Sequence, residues 1–374
     1  MLRPLIVGLG RSGAGLHLNA LKTLAHPEPD PGPGPDADAD VGRGRSRDPV
    51  SVPEATETTE AEVPLAWPPL AWDARPGAGA GLDGVTVLPS LAAAAQHTDP
   101  ARTVVHLCTP PEARAGVLGR LAGLGYTRVL VEKPLAGDPG QLQSVTRLRA
   151  EYGLDLTVVA HWLAAGLTQE VRRLVTDRPL GRLLSIDVAQ HKPRFDRTLA
   201  TRGHPTAFDV EPPHSLGVVL DLAGEAELVS ARCTDLVCDT AVVPHMGSAA
   251  LTLRHASGVC TDIASDLASP VQQRSFTLRF TDGTATAHYP ISERDDHAQL
   301  LLTGAVRAHR TFRDEALSAF LRRTYQRFAR GRTDDFALHH AVARLLCEAK
   351  AYCHADGPPA GGPPLPVRKD ARAV

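Results

Sequence analysis

The chain has 374 residues, enough for two domains that each bury a core. Hydrophobic residues make up 43% of it and the formal net charge is −2, so charge gives no ground for a nucleic-acid or anionic-membrane partner. No stretch approaches the ~20 apolar residues of a membrane span. Six cysteines (Cys108, Cys233, Cys238, Cys260, Cys347 and Cys353) form no C-x-x-C pair, and reduced, buried thiols are expected. The N-terminus enters a folded motif at once, without a leader pattern, and a cytoplasmic protein is expected.

Residues 3–7 read as a short buried strand, followed by Gly8-Leu9-Gly10-Arg11-Ser12-Gly13. Gly13, His17, Ala20, Leu21 and Leu24 then fall on one helical face. From Pro27 to about Ala66 the text is Pro-Gly repeats, Asp-Ala repeats and Thr/Glu-rich sequence, which predicts a disordered surface insertion, 27–66. Order returns at Leu70-Ala71-Trp72-Asp73. Val85-Thr86-Val87, a helix from Leu91, a strand at 103–108, a helix over 112–124 and a strand at 128–131 follow. Alternating strands and helices predict right-handed βαβ units and a parallel sheet.

After about residue 155 the pattern changes to alternation: Leu184, Ile186 and Val188; Leu251 and Leu253; Val259 and Ile263. Phe276, Leu278 and Phe280 run into Asp282-Gly283, a hairpin signal, before Ala285, Ala287 and Tyr289. This predicts a mostly antiparallel open sheet with one face covered. Two helices close the chain, striped by Leu317, Phe320, Leu321 and Phe328, and by Leu338, Ala341, Val342, Leu345, Leu346 and Ala349. The fold class is therefore α/β in two parts. The first, 1–135, is a Rossmann dinucleotide-binding domain carrying the 27–66 insertion. The second, 136–356, is an α/β domain for substrate binding and oligomerisation, with a flexible tail at 357–374.

Three features carry chemistry. The glycine turn follows a strand and opens a helix, so its backbone can approach a pyrophosphate at the helix N-terminus. An acidic residue after the second strand would hold the adenosine ribose. Asp73 takes that place once the insertion is excised, and a carboxylate there favours NAD over NADP. Arg75 and Arg11 keep NADP open, and a plain turn role for Asp73 competes. The third feature is Glu132-Lys133-Pro134-Leu135-Ala136 at a strand's carboxyl end. Lysines number 5 against 35 arginines, and only the ammonium offers a proton movable near neutrality.

With these motifs the chain resembles the Gfo/Idh/MocA family of NAD(P)-dependent oxidoreductases. The likeness rests on the glycine turn with His17, on Cys108-Thr109-Pro110-Pro111, on Glu132 to Ala136, on Pro179 to Leu183, and on His214-Ser215-Leu216 with Gly224 beyond. It implies that Gly8, Leu9, Gly10, Arg11, Ser12, Gly13, Asp73, Thr109, Pro110, Glu132 and Lys133 form the cofactor site. It further implies a hydride-transferring dehydrogenase or reductase acting on a CH–OH group of a sugar, sugar nucleotide or cyclitol. A small-molecule substrate and a homo-oligomer paired through the exposed sheet face are expected, with no nucleic acid, membrane or metal.

His214 follows Pro212 and Pro213, which suit the first turn of a helix. There a neutral imidazole can take a substrate hydroxyl proton, and a capping role competes. Lys133 would stabilise the alkoxide or share the proton relay. Two positions where the family has aspartate are Val210 and Gly217, and Arg114 stands where it has a histidine after Thr-Pro-Pro. Glu211 is the candidate for the displaced carboxylate. Lys192 and Arg194 suit an anionic substrate or a solvated edge. The altered carboxylate pattern leaves two further expectations open, an imine or enamine reductase and a non-catalytic NAD(P)-binding regulator.

Overall fold

The computed structural model describes residues 1–26, 65–201, 203–292, 295–331 and 336–355. The expected tail and residues 27–64 of the expected insertion lie outside them. Leu65 and Ala66, read as the insertion's end, belong to the fold instead: Leu65 bridges Leu2 in parallel and the Ala66 amide donates to the Leu2 carbonyl at 3.0 Å.

The chain divides into two compact units. The first contains Met1–Gln169 and Asp314–His339; the second contains Glu170–Arg313 and the chain from His340. In the first unit β1 (Arg3–Val7), β2 (Leu70–Trp72), β3 (Thr86–Val87), β4 (Thr103–Leu107), β5 (Arg128–Val131) and β6 (Asp155–Val158) form one sheet. Its order is β3-β2-β1-β4-β5-β6 and every pair is parallel. Helices α1 (Leu18–Ala25), α2 (Leu91–His97), α3 (Pro111–Gly123) and α4 (Pro139–Tyr152) connect the strands. Strand order reverses at β1 and β4, the place where such sheets open a crevice at their carboxyl ends.

The sequence placed a boundary at 135, but the parallel sheet runs on through α4 and β6. The chain also comes back: α8 (Ala316–Arg330) puts Phe320, Leu321, Tyr325 and Phe328 into the core with Ile6, Leu18, Leu21 and Leu130. An apolar stripe shows that a helix is buried but not against which core. Asp314 holds the return in place, its two carboxylate oxygens accepting the amides of Gly166 and Leu167 at 2.7 and 3.0 Å. Those amides open α5 (Gly166–Asp177).

The second unit is built on an eight-stranded sheet of β7 (Leu183–His191), β8 (Ala226–Cys238), β9 (Ala241–His255), β10 (Cys260–Asp266), β11 (Gln273–Phe280), β12 (Gly283–His288), β13 (His297–Gly304) and β14 (Ala308–Arg313). The order is β14-β13-β12-β11-β7-β10-β9-β8, antiparallel except between β7 and β10. Leu302, Ala285, Leu278, Ile186, Thr261, Leu253 and Leu228 form one cross-strand row. The next row on that face includes Phe276, Val188, Ile263 and Leu251. The short α6 (Phe195–Ala200) follows β7, and α7 (Pro212–Ala223) is apolar and buried on every side but one. The closing helix α9 (Phe336–Ala355) crosses from one unit to the other.

Two local readings change. Leu184 is exposed, because it is the extra residue of a bulge in β7, where pairing moves from Arg279–Ser185 to Phe280–Leu183 and leaves Leu184 outside the alternation. The β11–β12 turn is Thr281-Asp282, one residue earlier than Asp282-Gly283. Gly283 serves a close approach: a Cβ there would lie 2.3 Å from the Thr303 carbonyl oxygen. No disulfide joins the described cysteines, and Cys260 is exposed where buried thiols were expected, because it occupies the outer face of β10. No helix among the described residues is long and apolar enough to cross a membrane.

Candidate functional site

Residues marked by the sequence gather at the carboxyl ends of β1, β2, β4 and β5. The Gly8 amide donates to Trp72 and the Cys108 amide to Val7, both at 2.8 Å, which closes the three strand ends together. Gly8 has φ +98°, and a Cβ there would stand 3.0 Å from the Cys108 carbonyl oxygen. At Gly13 a Cβ would be 1.9 Å from the Gly8 carbonyl oxygen, so the turn closes only with glycine. Gly10 differs: nothing lies within 4 Å of its missing Cβ, leaving the outer side of the turn open. The chain then winds through a wide π-type turn, Arg11–His17, before α1. Leu9 is buried, Ser12 half-buried and Arg11 exposed.

Asp73, just past β2, accepts the Leu9 amide at 2.6 Å and so fastens the glycine turn to the second strand. Arg75 clamps the same carboxylate, with Nε at 3.1 Å, Nη2 at 3.0 Å and its amide at 2.8 Å. The Arg75 hydrogen bonds outweigh burial and lower the carboxyl pKa to about 2. The guanidinium itself is 68% exposed, so this ribose-side corner presents a paired carboxylate and an accessible cation together.

Thr109 and Pro110 leave β4, with Pro110 and Pro111 opening α3. Arg114, in the first turn and a half of α3, is 1% exposed. Its guanidinium donates to the Thr109 carbonyl at 2.8 Å and to the Pro134 carbonyl, bridging the β4 loop to the β5 loop. Burial lowers its pKa to about 10, against the opposing pull of Glu132. Sequence reasoning noted Arg114 only as a departure from the family pattern. Its position three residues after Thr109-Pro110-Pro111 was the signal that could have found it.

Glu132 and half-buried Lys133 follow β5, and the Lys133–Pro134 peptide is cis. The Glu132 carboxylate lies 2.8 Å from His17 Nε2. Burial alone would raise the Glu132 pKa, but the hydrogen bond with His17 and the charges of Lys133 and Arg114 lower it. His17 continues the contact inward: its Nδ1 is 2.7 Å from His106 Nδ1, and His106 Nε2 is 2.7 Å from the Tyr325 hydroxyl. The sequence placed His17 on the apolar helix face and did not single out His106 or Tyr325.

The second unit holds the remaining candidates. His214 is 8% exposed in the first turn of α7, where Pro212 and Pro213 start the helix as their fixed φ favours. Glu211, the residue before that helix, is buried and accepts from Lys192, with Arg274 Nε at 3.8 Å. Burial lowers the Lys192 pKa despite the pull of Glu211. Arg194 is 6% exposed and donates to Thr198 at 3.0 Å, so it is a packed residue rather than a solvated edge. Asp209 is fully buried, accepting the Thr206 amide and hydroxyl at 3.1 and 2.8 Å and pairing with Lys350. Both carboxylates flanking Val210 are therefore bonded to a lysine. Among the described residues no group of three or more His, Cys, Asp or Glu is placed to hold a metal ion.

No family model matches the chain, and no curated protein matches it. Solved structures do. A candidate NADPH-dependent oxidoreductase from Desulfitobacterium hafniense aligns with a TM-score of 0.72 at 12% identity, covering 95% of this chain and 96% of that one. UDP-N-acetylglucosamine 3-dehydrogenase from Acidithiobacillus ferrooxidans gives 0.67 at 17% identity, covering 95% and 98%. The 3-ketoreductase KijD10 from Actinomadura kijaniata, solved with NADP and TDP-benzene, gives 0.67 at 13% identity, covering 94% and 98%. At these identities the likeness establishes the fold: a Rossmann-type parallel sheet and a mostly antiparallel α/β part.

Proposed function

We propose that this chain is an NAD(P)-dependent oxidoreductase of the Gfo/Idh/MocA type, moving hydride between a nicotinamide and a secondary alcohol or ketone of a sugar, sugar nucleotide or cyclitol. One observation carries the reading: the glycine turn, Asp73, Thr109-Pro110 and Glu132-Lys133 come together at the carboxyl ends of four parallel strands. The open side of the turn at Gly10 suits a pyrophosphate, and the similar solved structures act on sugar nucleotides or bind NADP. Nicotinamide, when bound, supplies or accepts the hydride. The turn from Gly8 to Gly13 would hold the diphosphate, and Asp73 and Arg75 the adenosine ribose. Thr109, Pro110 and Glu132 line the same side. Lys133 provides an ammonium for the substrate oxygen, and in the second unit His214 is proposed as a general base. Lys192 and Arg194 are proposed for an anionic substrate group.

NAD follows from the carboxylate of Asp73, while the exposed Arg75 beside it gives a 2′-phosphate a partner, so both cofactors belong in the test. Titration of tryptophan fluorescence with NADH and NADPH measures binding. Turnover is then screened on polyols, UDP- and TDP-sugars and cyclic imines. Lys133→Met should keep cofactor affinity within a few-fold and lower kcat by about 10²–10⁴; full activity in that variant defeats the assignment. Imine reduction is the second reading, because Val210 and Gly217 stand where the family has aspartate and the carboxylates flanking Val210 pair with lysines. Tight cofactor binding without turnover of any substrate would point to a regulator.

We also propose a homo-oligomer paired through the outer face of the eight-stranded sheet. That face carries the cross-strand row Thr286, Thr277, Asp187, Asp262 and Thr252, short side chains that leave a flat surface. Light scattering on the purified protein decides it.

A further inference from the structure

Glu132, His17, His106 and Tyr325 form an unbroken chain of contacts at 2.8, 2.7 and 2.7 Å. His17 and His106 are fully buried and Tyr325 is 1% exposed. Each link needs one hydrogen, so the proton positions can be worked out. The two Nδ1 atoms face each other, and one ring must donate while the other accepts.

With Glu132 ionised and His106 neutral, two arrangements satisfy every link. In the first both imidazoles are neutral: the Tyr325 hydroxyl donates to His106 Nε2, His106 Nδ1–H donates to His17 Nδ1, and His17 Nε2–H donates to the Glu132 carboxylate. The second holds one more proton: His17 is charged and donates from both nitrogens, and His106 Nε2–H donates to the Tyr325 oxygen. In that arrangement the phenolic hydrogen needs an acceptor other than His106. Tyr325 is buried and His106 Nε2 is its hydrogen-bond partner, so the second arrangement strands the hydrogen at a cost of about 1–3 kcal/mol. Burial lowers the His106 pKa, which disfavours placing the extra proton on His106 rather than His17; His106 and Tyr325 are neutral in both arrangements compared.

We propose that Tyr325, acting through His106 and His17, is a tautomer lock: it keeps His17 neutral and so leaves the full charge of Glu132 to Lys133. His17, His106 and Tyr325 are then positioning residues for Lys133, and the inference rests on reading Lys133 as the residue that serves the substrate oxygen. The charged or titratable groups that Glu132 feels are His17, Lys133, Arg114 and Cys108. A protonated His17 would neutralise Glu132 from one side and weaken its hold on the ammonium from the other.

The test needs neither substrate nor cofactor, so it separates failure of the lock from failure of the dehydrogenase reading. Tyr325→Phe keeps the buried ring and removes only the hydroxyl. Long-range nitrogen–proton spectra of ¹⁵N-histidine protein, assigned with His17→Gln and His106→Gln, read the tautomers at pH 6–8. In the unaltered chain His17 should be a neutral Nε2–H ring and His106 a neutral Nδ1–H ring. In Tyr325→Phe His17 should take up a proton and the bond between the two Nδ1 atoms should reverse. The second readout is acylation of Lys133 by an N-hydroxysuccinimide ester, referred to Lys22 by mass spectrometry. It should rise several-fold in Tyr325→Phe, at about tenfold per pKa unit, and at least as much in Glu132→Gln. Three results overturn the proposal: a charged His17 in the unaltered protein, unchanged tautomers in Tyr325→Phe, or a rise confined to Glu132→Gln. A Lys133 rate unmoved in all variants overturns it as well.

Discussion

Arg114 gives the sharpest test of how the cofactor side of the first unit is held. Its buried guanidinium bridges the Thr109 and Pro134 carbonyls, one on each loop of the crevice. Hydrogen bonds from a charged donor contribute about 1.5–3 kcal/mol each, so the pair contributes about 3–6. The fall in pKa from 12.5 to about 10 corresponds to a net cost of roughly 3 kcal/mol for holding the charge there, burial less the attraction of Glu132, at about 1.36 kcal/mol per unit. The net is about 0–3 kcal/mol in favour of the native residue. Arg114→Met keeps the stem and removes the fork, and should lower Tm by up to about 12 °C for a unit of this size. The larger effect should be local. With both carbonyls unbridged the β4 and β5 loops lose their common anchor, and NADH affinity should fall about tenfold. Arg114→Lys, with one compact donor group in place of a fork, should fall between. Thermal unfolding by circular dichroism and fluorescence titration with NADH measure the two effects. A variant that unfolds at the original temperature and binds NADH as before refutes the bridging role.

Three further outcomes are expected. Arg75→Ala should shift cofactor preference towards NAD by about tenfold, while Asp73→Ala relaxes it towards NADP; equal affinity ratios in both variants would remove these residues from the ribose site. Asp73 also predicts an acid response. Its depressed pKa makes its contribution complete above about pH 4 and lost as pH falls through about 2, so Asp73→Asn should flatten the loss of stability in that window. The exposed partner limits that contribution to about 1 kcal/mol. Lys350→Met should destabilise the second unit by about 3–5 kcal/mol, because Asp209 is left as a buried charge, and Lys350→Met with Asp209→Asn should recover most of it in denaturant titration.

Local chemistry was legible in the chain and distant pairing was not. The glycine turn, the strand before it and the Pro-started helix at Pro212 are fixed by backbone sterics within a few residues, and the structure has each of them. The alternation of apolar residues marked the second sheet, yet it missed Leu184, because a bulge depends on the partner strand. Glu211 looked like the displaced catalytic carboxylate, and Asp209 flanks the same Val210. Their lysines lie 19 and 141 positions away, beyond any spacing rule. The same distance hid Arg114's second carbonyl, 20 residues on, and the destination of α8.

The return of α8 to the first unit also sets an order of events during synthesis. His106 meets its partner Tyr325 across 219 residues, and the whole of 170–313 is made in between. At roughly 5–20 residues per second the ribosome needs about 10–45 s to cover that span. Through that interval the nascent sheet has no Phe320, Leu321 or Phe328 to cover Leu18, Leu21 and Leu130, and the His106 ring stays open to water. The first unit is begun first and finished last, and its uncovered apolar face is where a chaperone or a neighbouring nascent chain would engage it.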